Sequence, residues 1–213
     1  MPRSYGQFCS LARALDVVGE RWTLLVIRDL LGGPKRYKDL VQSLSGIGTN
    51  LLANRLKELE AAGLVKHTTL PPPASVKAYD LTKRGRALEP AVVALADWGL
   101  SLLDAPREDD HWLPQWNAIA FKARFDPEAA KGVREIYAFV VDGYPHYVVV
   151  DDGTVETFEG VAPQAVFTLM ADRESFLSVI EGEQTFEDAI GVGDMILEGD
   201  VEAFARCGRI FER

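Results

Sequence analysis

The sequence predicts an α+β fold in two parts, a winged helix-turn-helix domain followed by a C-terminal α/β domain whose sheet is covered by helices. Charge divides the 213 residues: 1–90 hold 14 Lys and Arg against 8 Asp and Glu, a net of +6, and 91–213 hold 9 against 24, a net of −15, which sum to −9. Only Phe8 of the ten phenylalanines precedes residue 115. A basic half can meet a polyanion, whereas an acidic half should avoid one.

Four helices are expected in the first 62 residues. Ser10 can cap the first, and the second is apolar nearly all round, which is typical of a helix buried on several sides. Gly32-Gly33-Pro34 ends the second helix, and Gly63 closes the fourth, which Thr49 caps. The expected limits of the second, third and fourth helices are 22–31, 37–44 and 49–62.

A β-hairpin and a long helix complete the first domain. Strand-like residues 64–70 and 76–81 flank a proline-rich tip, Pro71-Pro72-Pro73-Ala74-Ser75, which cannot continue a ladder. Thr82 begins the long helix, which Pro90 should kink or break. Residues 104–115 are charged, contain two prolines and lie where the composition changes, so they are expected to be a linker. The expected domains are 1–103 and 116–213.

The second domain mixes strands and helices. Asp142-Gly143 and Asp152-Gly153 are typical of two-residue hairpin turns, and Asp172 and Asp200 can each cap a helix. Glu181-Gly182 should end the helix that Asp172 begins. The expected strands are 135–141, 147–151, 154–158, 164–170 and 194–197, with a helical turn at 185–190.

The helix that begins at Thr49 has the pattern of a DNA-reading helix. Leu52, Leu56 and Leu59 form its inner face, and short polar or basic side chains that can reach base edges in the major groove lie outside. Any surface helix can show this pattern, but the order of short helix, glycine turn, capped helix and basic hairpin favours a winged helix-turn-helix. Base readers are expected at its N-terminal end, and phosphate contacts in the preceding helix and the hairpin. The candidate DNA-contacting residues are Arg36, Tyr37, Lys38, Thr49, Asn50, Asn54, Arg55, Lys57, Lys66, His67 and Lys77.

Residues 8–100 resemble the HxlR-type winged-helix regulators. The resemblance lies in Cys9, Leu15-Asp16-Val17-Val18-Gly19, Trp22-Thr23-Leu24-Leu25-Val26-Ile27-Arg28-Asp29-Leu30, Gly32, Leu56, Leu59-Glu60, Gly63-Leu64-Val65, Tyr79-Asp80-Leu81-Thr82, Gly85, Leu88 and Trp98. It implies a bacterial transcriptional regulator that binds operator DNA as a homodimer, with the first and last helices of the domain forming the dimer contact. Ser10 and Gly48 depart from the family pattern, so the operator sequence does not carry over.

Cys9 has two interpretations. Some relatives of this type use the equivalent thiol to sense oxidants or electrophiles, and Arg13, one turn further on, could favour a thiolate. Alternatively, Cys9 is a small, partly buried apolar residue at a position typical of the family. Cys9 and Cys207 lie at opposite ends of the chain and match no metal spacing, so two free thiols are expected.

Residues 120–213 are similar to sterol-carrier-protein-like, lipid-transfer domains. The similarity lies in Phe167-Thr168-Leu169, Asp172 with Phe176, Ile180 with Gly182-Glu183, Asp188-Ala189-Ile190, Gly193-Asp194-Met195 with Leu197, and Glu198-Gly199-Asp200. It implies helices over a curved sheet and an apolar tunnel, although aromatic residues at helical spacing also suit a filled core. Candidate ligand-lining residues are Phe121, Tyr137, Phe139, Tyr147, Phe158, Phe176 and Phe204, with His146 as a polar anchor.

The expected function is a dimeric regulator whose C-terminal domain binds a small apolar or lipid-like ligand. The alternatives are a redox or electrophile switch acting through Cys9, and a lipid-binding carrier without DNA function. Three scattered histidines offer no metal set and no triad, so neither an enzyme, a cofactor nor a metal is expected. No signal-peptide pattern and no apolar run long enough for a bilayer are visible, so a cytoplasmic protein with no membrane partner is expected.

Overall fold

A computed structural model of the chain describes residues 4–71, 75–103, 110–180 and 183–211. The chain separates into two compact units, Met1–Val92 and Val93–Arg213. Three predicted features lie wholly or partly outside the described residues: the proline-rich tip at 72–74, half of the predicted linker at 104–109, and the helix end at 181–182.

The first unit contains the four predicted helices and the hairpin. Its elements are α1 (Ser10–Val18), α2 (Thr23–Leu31), α3 (Tyr37–Ser43), α4 (Thr49–Ala61), β1 (Val65–Thr69), β2 (Lys77–Leu81) and α5 (Lys83–Arg86), with α6 (Glu89–Leu100) running across the division between the units. The long helix predicted from Thr82 is broken into α5 and α6, as expected from Pro90, which occupies the first turn of α6, where its missing N–H costs nothing.

Two predicted helix caps lie one residue away from the observed ones. Cys9 precedes α1 and Gly48 precedes α4 in extended conformation, so Ser10 and Thr49 are the first helical residues and not caps. Trp22 was also expected to be helical, but it has φ 77°, a left-handed conformation that is unusual for a bulky side chain, and α2 begins after it.

The core of the first unit is built from the inner faces of α2, α3 and α4. Leu52, Leu56 and Leu59 of α4 are almost completely buried, which confirms the leucine stripe. The same core contains Val26, Ile27, Leu30 and Leu40. Burial of these residues fixes the rotation of α4 and therefore decides which of its side chains face solvent.

The hairpin is an antiparallel pair in which Val65 lies opposite Leu81 and Thr69 opposite Lys77. Lys35, in the segment before α3, forms an isolated antiparallel bridge to Tyr79 through two backbone hydrogen bonds of 2.8 and 3.0 Å. Backbone pairing therefore holds the start of α3 beside the hairpin.

The second unit has a five-stranded sheet of order β5-β4-β3-β6-β7. Its elements are a 3-10 turn (Pro114–Trp116), α7 (Asn117–Arg124), β3 (Arg134–Val141), β4 (Tyr144–Asp151), β5 (Thr154–Glu159), β6 (Phe167–Ala171), α8 (Arg173–Ile180), α9 (Phe186–Val192), β7 (Met195–Gly199) and α10 (Val201–Phe211). β3 and β6 are parallel and the other pairs antiparallel. Both Asp-Gly turns have positive φ at both residues, which confirms the hairpins.

Three details of the second unit differ from the sequence prediction. The fourth strand begins at Phe167 and not at residue 164, and β4 begins at Tyr144 and not at Tyr147. The predicted linker reached residue 115, but the ring of Trp112 lies 5.8 Å from that of Phe176 and packs against the core of the second unit. The predicted caps Asp172 and Asp200 accept the expected backbone hydrogen bonds.

The core of the second unit lies on one face of the sheet. Tyr137, Phe139, Phe167 and Leu169 point from the central strands into a cluster with Phe176. Side chains of α7, α8, α9 and α10 complete that cluster, so the helices cover this inner face. No helix in the described parts of the chain is long and apolar enough to cross a membrane.

Candidate functional site

The outer face of α4 carries uncharged hydrogen-bonding side chains at its N-terminal end. Thr49, Asn50 and Asn54 are exposed, and Lys57 is exposed one turn further along. Asn50, Asn54 and Lys57 share one helix face, opposite the buried leucines, whereas Thr49 is exposed at the start of α4, seven residues before Leu56 and on the same side of the helix as Leu56. Such a face offers hydrogen-bond donors and acceptors to base edges and a positive charge to a phosphate.

The start of α3 is tied to the start of α4 by one hydrogen bond. The hydroxyl of Tyr37 donates to the carbonyl oxygen of Thr49 at 2.7 Å. Arg36 and Tyr37 are partly buried, whereas Lys38 is exposed. Tyr37 therefore sets the position of α4, and Lys38 is the more available of these residues for a phosphate.

A buried carboxylate fixes α2 against α3. Asp29 accepts a hydrogen bond from the hydroxyl of Ser43, and the guanidinium of Arg28 lies 2.8 Å from the same carboxylate. Because Asp29 is buried, its charge is tolerated through these two partners. These contacts hold α3, the helix before α4, against α2.

Arg55 departs from the arrangement expected for a DNA contact. Its side chain is only 13% exposed, and its guanidinium lies 3.1 Å from Glu20 and also pairs with Glu58. Glu20 belongs to the segment between α1 and α2, so the pair joins α4 to a distant part of the unit. The structure thus separates Arg55 from the exposed set of α4.

The three predicted hairpin residues do not share one face. His67 and Lys77 lie on the same face of the hairpin, where the ring of His67 is 4.6 Å from that of Tyr79. Lys66 points to the other face and lies 3.7 Å from Asp80, which also pairs with Arg86. A hairpin that touches DNA by one face would use His67 and Lys77 and leave Lys66 paired within the protein.

Exposed apolar side chains are concentrated on α1, on the segment before it, and on α6. Phe8 is fully exposed, and Trp98 is 64% exposed, although both are large and apolar. This group also includes Tyr5, Leu11, Leu15, Val17 and Leu95, together with Leu102 and Leu103, which follow the end of α6. The sequence placed Leu15, Val17 and Trp98 in the family pattern but did not show that they are exposed, because an apolar residue that faces a second subunit looks like a core residue in a single sequence.

Cys9 is exposed at the start of α1. Arg13, which was expected to favour its thiolate, makes its contacts with other residues. The guanidinium of Arg13 lies 3.5 Å from Asp16 and 3.4 Å from the Ser4 hydroxyl, so the contacts of Arg13 are with these residues and not with the thiol. Cys207 is buried, and burial raises the pKa of its thiol above the usual value.

Two of the eight predicted ligand-lining residues lie on the wrong side of the sheet. Tyr147 and Phe158 are register partners and stack at 5.0 Å between ring centroids, on the face opposite the core. Side chains alternate along a strand, so Tyr147 cannot share a face with its neighbour His146. The other six residues, Phe121, Tyr137, Phe139, His146, Phe176 and Phe204, are brought together on the inner face or pack against its core.

His146 is the one buried histidine in the described chain. Its ring stacks on Phe139 at 5.5 Å between centroids, and Phe121 and Tyr144 lie 6.2 and 6.1 Å away. Burial among these rings lowers the pKa of His146 from 6.5 to about 4, so the imidazole is neutral at neutral pH. Within the described residues, no group of three or more His, Cys, Asp or Glu side chains could hold a metal ion.

Comparison with known proteins identifies the first part of the chain. A model of the HxlR-like helix-turn-helix family matches residues 17–106. The HTH-type transcriptional regulator YvaP of Bacillus subtilis is 33% identical over 92 residues, which cover 43% of this chain and 85% of YvaP. The HTH-type transcriptional regulator YodB of the same organism is 36% identical over 85 residues, which cover 40% of this chain and 76% of YodB.

Solved structures match over a similar share of the chain. The redox regulator HypR in its oxidized form has 32% sequence identity and a TM-score of 0.42, with 46% of this chain and all of that one covered. The family assignment depends on the sequence relatives, which match over most of their own length. On these grounds, the chain belongs to the HxlR-like helix-turn-helix family, whose matched relatives are transcriptional regulators.

Proposed function

We propose that this protein regulates transcription by binding operator DNA as a homodimer through the winged-helix unit. The observation that carries the proposal is the exposed face of α4 that bears Asn50, Asn54 and Lys57, opposite the buried leucine stripe. An asparagine amide can both donate to and accept from the major-groove edge of adenine, and such a pair contributes about 1–3 kcal/mol of discrimination. We therefore assign base reading to Asn50 and Asn54.

Phosphate contacts are assigned to exposed cations around α4. Lys38 at the start of α3, Lys57 on α4 and Lys77 on β2 are all exposed. His67 shares the face of Lys77, but its Nε2 lies 3.6 Å from a carboxylate oxygen of Glu60, so His67 is not assigned to a phosphate. Arg55 and Lys66 are assigned instead to holding α4 and the hairpin, because each is paired with an acidic side chain inside the unit.

The dimer contact is assigned to the exposed apolar side chains of α1 and α6 and of the short segments that precede α1 and follow α6. A protein that left Phe8, Leu11, Trp98 and Leu102 in water would expose large apolar side chains at no benefit, and a second copy would bury them. Two-fold symmetry would place two copies of α4 about one helical turn of DNA, roughly 34 Å, apart and would double the basic surface.

Operator selection tests the proposal most simply. Genomic fragments are incubated with the purified full-length chain, and the bound fragments are sequenced. A shared, roughly palindromic motif is the expected result, and fragments without a common motif would refute DNA reading and favour the lipid carrier. Asn50→Ala should then weaken binding to the selected operator by about 10- to 100-fold, and Lys131→Ala in the second unit serves as the surface control.

We further propose that the second unit is a sterol-carrier-like module that binds a small apolar or amphipathic molecule and changes the affinity for DNA. The support is its sheet with helices on one face and an aromatic core on that same face. Control of this kind needs a coupling free energy of about 1–3 kcal/mol between ligand and operator. An apolar ligand that binds without changing operator affinity at fixed salt would refute the coupling.

A redox or electrophile response through Cys9 is the second candidate. Cys9 is exposed and adjoins Phe8 on the element assigned to the dimer contact, so a modified thiol would alter that contact. Operator binding is measured before and after treatment with diamide in wild type and Cys9→Ser. An oxidant response that survives in Cys9→Ser would exclude this mechanism.

A further inference from the structure

Two buried polar side chains of the second unit have nitrogens without a hydrogen-bond partner in the described structure. They are Nε2 of His146 and Nδ2 of Asn117, and each of the two residues is only 6% exposed. Most buried polar groups in folded proteins are paired, and one left unpaired costs free energy. With the hydroxyl of Tyr144, three buried polar atoms of this unit are unpaired, and they call for an explanation.

Asn117 and His146 are related through Phe121 of α7. Phe121 of α7 lies 6.2 Å from the His146 ring, and Asn117 precedes Phe121 by four residues, which places both on the same face of α7 one turn apart. α7 packs against β5, whose Glu159 is the register partner of His146. The surrounding walls are the rings of Phe121 and Phe139.

The hydroxyl of Tyr144, whose ring lies 6.1 Å from that of His146, is also buried without a hydrogen-bond partner, whereas the polar groups around Tyr137 are paired. The hydroxyl of Tyr137 donates to Glu135 at 2.8 Å, and Glu135 also accepts from Arg206 at 2.6 Å. In this network, the hydroxyl, the guanidinium and the carboxylate each have at least one partner. His146 and Asn117 differ from it because each keeps a free hydrogen-bonding atom.

We propose that His146 and Asn117 bind the hydroxyl group of a small, otherwise apolar ligand, an alcohol or a phenol, between α7 and β4. Nδ1 of His146 lies 3.4 Å from the carbonyl oxygen of Tyr144, and because a carbonyl only accepts, Nδ1 carries the proton. Nε2 is then an acceptor, whereas Nδ2 of Asn117 is a donor. A hydroxyl group donates to the first and accepts from the second.

The same geometry excludes other ligand classes. A carboxylate has no proton to give to Nε2, and an ether or ketone would satisfy Asn117 only. Burial keeps the His146 imidazole neutral at neutral pH, so it supplies no positive charge for an anion. This inference rests on the proposed ligand-binding role of the second unit and narrows it from apolar molecules to hydroxylated ones.

The test compares two probes of nearly equal shape on the full-length chain at neutral pH. 1-Naphthol can donate and accept a hydrogen bond, whereas 1-methoxynaphthalene can only accept, and both are followed by their own fluorescence. We expect wild type to bind 1-naphthol about tenfold more tightly or better. In His146→Phe the two affinities should agree within about threefold. Asn117→Leu should weaken both probes, and His111→Phe, at an exposed histidine, should behave as wild type.

Two measurements that do not depend on affinity distinguish the loss of a ligand contact from the loss of the folded structure. In wild type, the 15N signal of His146 Nε2 should move when 1-naphthol is added and should not move with 1-methoxynaphthalene. Both variants should also melt at or above the wild-type temperature, because each replaces an unpaired buried nitrogen with an apolar group. Lower melting temperatures with an unmoved Nε2 signal would assign both residues a purely structural role and overturn the inference.

The outcomes separate this inference from the proposed regulation. Equal binding of the two probes, as expected if a buried water already satisfies both nitrogens, overturns the inference and leaves apolar ligand control in place. Binding of neither probe overturns it as well. Preferential binding of 1-naphthol with unchanged operator affinity supports the hydroxyl site and refutes control of DNA binding through it.

Discussion

Lowering the pH should destabilise the second unit through His146. The pKa of this buried imidazole is about 4 in the folded protein, against 6.5 for the free side chain. The unfolded chain therefore binds a proton at His146 as the pH falls below about 6.5, while the folded chain stays neutral until about pH 4. The contribution of the neutral His146 side chain to the free energy of unfolding is fully present above about pH 6.5. It is lost as the pH falls towards the pKa of His146 in the folded protein.

The difference between the two pKa values sets the size of the effect. At about 1.36 kcal/mol for each pH unit, a gap of about 2.5 units corresponds to about 3 kcal/mol lost by pH 4, and about 2 kcal/mol is already lost at pH 5. Loss of this size is a large fraction of the stability of a typical domain. Carboxylates such as Asp172, whose pKa is lowered by the backbone N–H of Ser175, titrate at lower pH.

The assay is urea unfolding at about pH 7.5, 6 and 5, followed by the amide NMR signals of β3 and β4 so that the second unit is observed by itself. His146→Phe removes the titrating group and should lose about 2 kcal/mol less than wild type between pH 7.5 and pH 5. His111→Gln, at an exposed histidine, is the matched variant and is measured under the same conditions. An unaltered pH dependence in His146→Phe would refute the assignment.

Three further predictions concern the first unit and the dimer. Arg55→Ala should lower the melting temperature without changing which bases are preferred, because the guanidinium clamps α4 to Glu20; altered base preference in an operator-variant binding assay would show that Arg55 reads DNA. Trp98→Ser should raise the dimer dissociation constant about tenfold or more in sedimentation equilibrium, because a 64% exposed indole is assigned to the interface. Gly85→Ala should destabilise the protein by about 3 kcal/mol or more in thermal unfolding, because an added Cβ would lie 2.1 Å from the Leu64 carbonyl oxygen; an unchanged melting temperature would contradict this packing.

Local patterns predicted the elements whose signals are local. The leucines of α4, the two Asp-Gly turns, and Asp172 and Asp200 as helix caps are all found where expected, since each depends on spacing within a few residues. α7 was missed because Asn117–Arg124 has a weak apolar stripe and follows a segment with two prolines. Its position is fixed by packing of Phe121 against distant rings.

Some features of the candidate site depend on contacts between residues that are far apart in the chain. Helical spacing identifies Arg55 as an outer residue of α4, but its pairing with Glu20, 35 positions earlier, depends on tertiary structure. The placement of Tyr147 was predictable, because alternation along β4 forbids it from sharing a face with His146. The unpaired nitrogens of His146 and Asn117 become visible only when every neighbour is in place.

The central claim, that the winged-helix unit binds operator DNA, is tested most directly by the salt dependence of operator affinity. Fluorescence anisotropy with the selected operator, between about 50 and 200 mM salt, should give a steep linear fall of log K against log salt as phosphate counterions are displaced. Lys38→Ala should reduce the slope of log K against log salt by about one. Asn50→Ala should lower the operator affinity and leave the slope unchanged. Lys131→Ala should change neither the affinity nor the slope. A flat salt profile in wild type would contradict the account.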